Sequence, residues 1–420
     1  MIYFLYRIAT QIVTPLIPTL LDRRMARGKE DAQRLQERFG LATVMRPQRE
    51  LIWIHSASVG EANAVLPLIE RLLNANPALS ILLTTVTVTS AKLMGTRLPA
   101  RAIHQFAPVD TLDAVEKFLE HWRPDIALWV DSEFWPNLIM QTKKRGIVMG
   151  IINARMSGES FNAWKFFPFF IKKLLSSFTL CFAQSAQDAE RLSRLGVTTD
   201  IHIGNLKYDA PPLPCDESNL THLRNEINNR HIWLAASTHE GEEQIIADVH
   251  RVLKSEFADL LTIIVPRHAI RGDEIVKELP DFNIAQRSKN ETIEANTDIY
   301  LADTMGELGL FYRLAPIAFI GGSLVTHGGQ NPLEAARLDC AVIIGPYVSN
   351  FLSIVEEMQA SGAIKSVATA EELTVVLKEL IADESIGKKM VSNAKRYIDS
   401  KCGIINDIIA AIKDTGKLSI

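Results

Sequence analysis

The sequence predicts an α/β protein built of two Rossmann-like domains facing a central cleft. Three observations carry this expectation. Short apolar runs alternate with amphipathic stretches along most of the chain, the pattern of a parallel sheet with helices on both faces. The alternation breaks once, at residues 209–214 (DAPPLP), where three prolines exclude both helix and central strand, and then resumes. At 420 residues the chain is also too long for a single ordinary domain.

In the first half, residues 51–54, 81–85, 126–130, 148–152 and 180–183 read as strands, being short apolar runs bounded by turn-forming or polar residues. Residues 62–73, 112–122 and 188–195 repeat their apolar positions at helical spacing. After the proline break, strands are expected at 232–236, 260–265, 299–302, 317–320 and 341–344. Helices are expected at 240–253, 306–313, 332–338 and 370–382. This divides the chain into an N-terminal segment (1–21), a first domain (22–208), a linker (209–216) and a second domain (217–420). In open parallel sheets ligands sit beyond the carboxyl ends of the strands, which places the expected site in the cleft.

Composition narrows the function. With 47% hydrophobic and 22% charged residues the chain can bury a large core. The 45 basic and 49 acidic residues leave a net charge of −4, which gives no global attraction to nucleic acid. The cysteines at 181, 215, 340 and 402 form no C-x-x-C pair, which points to a reducing compartment and small buried side chains. Residues 2–21 are mostly apolar but interrupted by Arg7, Gln11, Pro15 and Pro18, and Arg23, Arg24, Arg27 and Lys29 follow. That pattern reads as an anchor that spans a bilayer or lies in its interface, with the cations on an anionic cytoplasmic leaflet.

Several segments at expected strand ends can carry chemistry. Residues 55–61 (HSASVGE) turn from strand to helix, with Gly60 suited to a tight turn or a close ligand approach. Ser58 and Glu61 have the spacing of a capping box, so the same carboxylate reads as a helix cap and as an acid aimed at the cleft. Residues 131–137 (DSEFWPN) place Asp131 and Glu133 at another strand end, ahead of Pro136 at a helix start. Arg155 and Lys207 are cations near strand ends. In the second half, Ser237-Thr-His-Glu240 repeats the cap spacing, Pro266-Arg267-His268 ends a strand and 303–308 (DTMGEL) opens a helix. Residues 321–334 (GGSLVTHGGQNPLE) join a strand to a helix capped by Asn331 and read as a nucleotide-phosphate site. Residues 161–178 mix Trp164 and six phenylalanines with Lys165, Lys172 and Lys173, as in a core helix with snorkelling lysines or a lipid-facing surface. No metal-binding spacing is present, and no cofactor is expected.

Taken in order, residues 37–40 (ERFG), 55–61, 133–137, 153–155 (NAR), 237–242 (STHEGE), 265–268 (VPRH), 303–308 and 331–334 (NPLE) resemble the 3-deoxy-D-manno-octulosonic acid (Kdo) transferases of lipopolysaccharide synthesis. The resemblance runs over nearly the whole chain. It implies a GT-B fold, with acceptor bound by the first domain and nucleotide by the second. It implies an inverting, metal-independent transfer of Kdo from CMP-Kdo to a lipid A precursor such as lipid IVA, at the cytoplasmic face of the inner membrane. The family's catalytic base falls on Glu61 and its phosphate-side lysine on Lys207. Its transition-state-stabilising acid falls on Asp131, where relatives carry Glu; the shorter acid keeps the charge with less reach. Contacts to CMP fall on Pro266 and Arg267, on Met305, Gly306 and Glu307, and on Asn331, Pro332, Leu333 and Glu334. A nucleotide-sugar epimerase shares the twin-domain architecture but needs no membrane segment, and a nucleotide-binding scaffold would not need acids at two strand ends.

Overall fold

The computed structural model describes residues 2–418. The chain forms two compact units: Met1–Ala210 together with Lys401–Ile420, and Pro211–Ser400.

In the first unit seven strands form one sheet: β1 (Glu50–His55), β2 (Leu79–Thr85), β3 (Ala102–Phe106), β4 (Ile126–Val130), β5 (Val148–Ala154), β6 (Leu180–Ala183) and β7 (Ile201–Ile203). Every neighbouring pair is parallel, in the order β3-β2-β1-β4-β5-β6-β7. Helices cover both faces, so β2 and β4 are buried along their entire length. Trp53 lies against Phe118 and Trp129 with ring centroids 4.9 Å apart in each pair, in tilted and edge-on geometries. Such pairs add roughly 0.5–1.5 kcal/mol beyond the area they bury.

The second unit repeats the plan with β8 (Ile232–Thr238), β9 (Leu261–Pro266), β10 (Ile284–Gln286), β11 (Ile299–Leu301), β12 (Ile317–Ile320), β13 (Ala341–Ile344) and β14 (Ile364–Ser366). Their order is β10-β11-β9-β8-β12-β13-β14, again all parallel. Each sheet has one point where the order of connection reverses: between β1 and β4 in the first, and between β8 and β12 in the second. Crossover loops leave such a point in opposite directions and open a crevice at the strands' carboxyl ends.

All ten strands expected from the sequence are present. The four it misses, β3, β7, β10 and β14, are short or lie at or next to a sheet edge, where a one-sided environment leaves no continuous apolar run. The C-terminal helix Ile404–Asp414 also differs from expectation. Assigned by chain order to the second domain, it instead buries Ile404, Ile405, Ile408 and Ile412 in the core of the first unit. Asp209 accepts hydrogen bonds from the amides of Gly403 (2.6 Å) and Ile405 (2.7 Å) at the start of that helix. Its apolar stripe finds its partner far away in sequence, so linear order could not assign it.

The N-terminal segment is helical at Ile2–Val13 and Ile17–Ala26, joined by a 3-10 turn at Thr14–Leu16. The run Ile2–Ala26 is long and apolar enough to cross a membrane and is almost entirely unburied. One side is tied to the first unit: the Tyr6 hydroxyl donates to Asp110 at 2.7 Å, and the side-chain amide of Asn137 donates to the Thr10 hydroxyl at 3.3 Å. Phe4, Leu5, Ile8, Ile12, Leu16 and Leu20 remain exposed.

Candidate active site

Glu61 and Asp131 follow β1 and β4, the two strands that flank the reversal point of the first sheet. They line one pocket of about 360 Å³ with Ser132, Glu133, Arg155, Ser157 and Ser160. The capping box expected at Glu61 is formed. Ser58 is the N-cap of the helix Val59–Ala75; its hydroxyl accepts from the Glu61 amide at 3.3 Å and donates to the Glu61 carboxylate at 2.6 Å. The Ala57 amide donates to the other carboxylate oxygen at 2.7 Å. The cap therefore fixes the carboxylate at the pocket wall, and capping and chemistry share one side chain. Gly60 makes no tight turn: it lies in the first helical turn, where a Cβ would meet only the Ser58 hydroxyl at 3.9 Å.

Burial raises the proton affinity of Glu61, against the opposing hydrogen bonds from Ser58 and Ala57. Asp131 is pushed up to about 6, first by burial and then by the negative charge of Glu61, with Arg155 pulling the other way. Acids so perturbed in a pocket are suited to proton transfer near neutral pH. Asp131 also holds a left-handed backbone, with φ 61°. Short polar residues tolerate that region better than longer ones, which gives a local reason for Asp at this position. Asn153, at the end of β5, is left-handed too (φ 53°) and accepts from the Leu206 amide at 3.1 Å. That bond ties the turn Leu206–Asp209, which carries Lys207, to the end of the sheet. Lys207 stands on this turn and is not among the residues that line the pocket.

Ser157 and Ser160 were not foreseen from sequence. Their only signal was an N-cap pattern, which the structure realises: the Ser157 hydroxyl accepts from the Ser160 amide at 3.1 Å. His55 is a core residue. It is fully buried, lies 2.9 Å from the Thr84 hydroxyl and is driven down to about 3 by burial and by Arg38, so it stays neutral.

In the second unit the residues expected at the nucleotide share the carboxyl edge of one parallel sheet. Pro266 closes β9 and Arg267 follows it, exposed. Met305, 72% exposed, precedes Gly306 (φ 86°) and Glu307, the N-cap of the helix Leu308–Leu314. The Glu307 carboxylate takes a two-point hydrogen bond from Arg287 at 2.7 and 2.5 Å, so it organises the loop. Asn331 caps the helix Pro332–Ala336, accepting from the Leu333 amide at 3.2 Å, and its own amide reaches Glu334 at 3.2 Å.

The glycine-rich loop after β12 departs from expectation. The amides at its start are already engaged. The fully buried Glu242 accepts from the amides of Gly322 (2.6 Å), Ser323 (3.0 Å) and Leu324 (2.9 Å), and from that of His239 (2.9 Å). The expected cap at Ser237–Glu240 is absent, because Ser237 still belongs to β8. The helix begins at Glu242 behind Gly241, and Ser237 lies at a strand irregularity with φ 59°. Among the described residues no group of three or more His, Cys, Asp or Glu side chains is arranged to hold a metal ion.

Residues 33–210 match the sequence family described as 3-deoxy-D-manno-octulosonic-acid transferase (kdotransferase). A probable mitochondrial 3-deoxy-D-manno-octulosonic acid transferase from Arabidopsis thaliana is 37% identical over 92% of this chain and 89% of its own length. The 3-deoxy-D-manno-octulosonic acid transferase of Rickettsia bellii is 32% identical over 97% of this chain and 98% of its own. Among solved structures, a UDP-GlcNAc 2-epimerase from Neisseria meningitidis bound to UDP-GlcNAc superposes with a TM-score of 0.60 over 87% of this chain and 100% of its own, at 14% identity. That likeness shows the shared GT-B architecture alone. With full-length relatives at this level of identity, the chain belongs to the 3-deoxy-D-manno-octulosonic acid (Kdo) transferase family.

Proposed function

We propose that this protein transfers Kdo from CMP-Kdo to a lipid A precursor of the lipid IVA type, inverting the anomeric centre without a metal ion. The observation that carries the reading is the Glu61–Asp131 pocket at the reversal point of the first sheet. A sugar hydroxyl is a weak nucleophile at neutral pH. Glu61, held by Ala57 and Ser58, takes its proton as the bond to the anomeric carbon forms, a contribution of roughly 10²–10⁴-fold. Asp131 and Arg155 set the charge around the reacting centre, and Lys207 opposes the charge developing on the leaving CMP phosphate. The second unit takes the nucleotide through Pro266, Arg267, the segment Met305–Glu307 and the capped start of the helix Pro332–Ala336.

The protein works at the cytoplasmic face of the inner membrane, with its N-terminal helices lying in the interface. Tyr6 and Thr10 hold the helix against the first unit while its apolar stripe stays open. Phe166 and Phe169 are 81% and 86% exposed close by, and Lys173 stands over the Tyr3 ring at 5.7 Å. Apolar side chains flanked by lysines and arginines suit an anionic leaflet. The test is to incubate the full-length protein with CMP-Kdo, with and without lipid IVA, and weigh the lipid. A product heavier by whole Kdo residues is expected. CMP-Kdo consumed without a change in the lipid would reject transfer, and a changed sugar on the nucleotide would favour an epimerase.

A further inference from the structure

We propose that His239, His268 and His327 form a site that receives an oxyanion of the nucleotide-sugar donor. Either the phosphate or the carboxylate of the sugar presents this chemistry. The inference rests on the CMP-Kdo reading above and adds residues to it.

Placement comes first. His239 follows β8 and His327 lies in the loop after β12, the two strands at the reversal point of the second sheet; His268 follows the neighbouring β9. This is where a parallel sheet opens its ligand crevice. The rings of His239 and His327 are stacked, with centroids 4.2 Å apart and planes 17° apart. His268 stands edge-on to His239 at 6.0 Å. Gln330 reaches the Nε2 of His239 at 3.2 Å. Gly322 makes the approach possible: it has φ 66°, and a Cβ there would sit 3.0 Å from the Cδ2 of His239.

Electrostatics comes second. The amides of Gly322, Ser323 and Leu324 are taken by Glu242, so these three are not offered to an anion at this crevice. The side chains on its rim are cationic or can become so. His239 is driven down to about 4, first by burial and then by His327, His268, Arg267 and Arg271; none of these influences is a carboxylate. Of the nearby acids, Glu243 is occupied by Arg271 at 3.0 Å and Glu242 by four backbone amides. An oxyanion would offset this positive surplus and turn the imidazoles into charge-assisted donors.

The experiment uses the full chain with His239→Gln, His268→Gln and His327→Gln, singly and combined. Cytidine and CMP affinities are measured by calorimetry, and KM is measured for CMP-Kdo. The rings are exposed or partly exposed, so melting temperatures should stay at the wild-type value. If the cluster holds the phosphate, the combined variant loses at least tenfold in CMP affinity while cytidine affinity is unchanged. If it holds the sugar carboxylate, CMP affinity is unchanged and KM for CMP-Kdo rises at least tenfold. Unchanged values for both ligands would overturn the inference, as would an equal loss for cytidine, CMP and donor. A wild-type protein that transfers nothing from CMP-Kdo would sink the donor reading, and this inference with it.

Discussion

The carboxylate of Glu61 raises the proton affinity of Asp131 across the pocket that both residues line. The two acids lie far apart in sequence, yet β1 and β4 are hydrogen-bonded neighbours, with His55 paired to Trp129 close to the strand ends. Two acids in one half-buried pocket are not equivalent. One is fixed by a helix cap, and the other sits on a left-handed corner and is pushed up to about 6.

Glu61→Gln keeps an acceptor oxygen for the Ala57 amide but cannot take a proton. Transfer to lipid IVA is expected to fall about 10²-fold or more, with CMP affinity and melting temperature close to wild type. Parallel measurements of transfer and CMP binding decide the matter. Near-normal transfer by this variant would remove Glu61 as the base.

Asp131 is raised in the folded state from 3.8 to about 6, with burial as the first cause. The folded protein therefore binds this proton more tightly than the unfolded chain. Its stabilising contribution is present at low pH and is lost as pH rises through about 6. Asp131→Asn removes the titration and tolerates the same left-handed backbone. The variant should gain melting temperature relative to wild type as pH rises from 4 to 6, and the difference should level off above 7. A difference that does not change with pH would contradict the assignment.

Glu242→Ala leaves four backbone amides without their acceptor in a fully buried place. A loss of about 3 kcal/mol or more is expected for the unit Pro211–Ser400, read from urea unfolding. Glu242→Gln, with one acceptor oxygen instead of two, should fall between. CMP affinity should drop in both, because the loop that carries His327 and leads to Asn331 loses its anchor.

Phe166 and Phe169 are mostly exposed, so replacing both with Ser should not disturb the fold. Burying each ring in lipid contributes about 1.5–3 kcal/mol. The double variant should bind anionic phospholipid vesicles at least tenfold more weakly in flotation, with transfer to a detergent-dispersed acceptor retained. Equal vesicle binding would reject this surface as the membrane contact.

Much of the fold was legible because its strands are buried on both faces. Runs such as residues 126–130 carry a continuous apolar signal, whereas an edge strand such as β7 does not. The cap at Glu61 was legible because it is local, spanning residues 57–61. The resemblance to the transferase family rested on ordered motifs of this kind, and the full-length relatives bear it out.

Two parallel α/β sheets, the capping box at Glu61 and the family could be read from the chain alone, since each depends on neighbouring residues or on their order. Tertiary structure alone decided the rest. It put Glu61 beside Asp131, bound three amides of the glycine-rich loop to Glu242, stacked His239 on His327 and sent the helix Ile404–Asp414 to the first unit. Each of these pairings joins segments that meet only after the strands have taken their places in the sheet. Burial and charge at such junctions have no signature in either partner's local sequence.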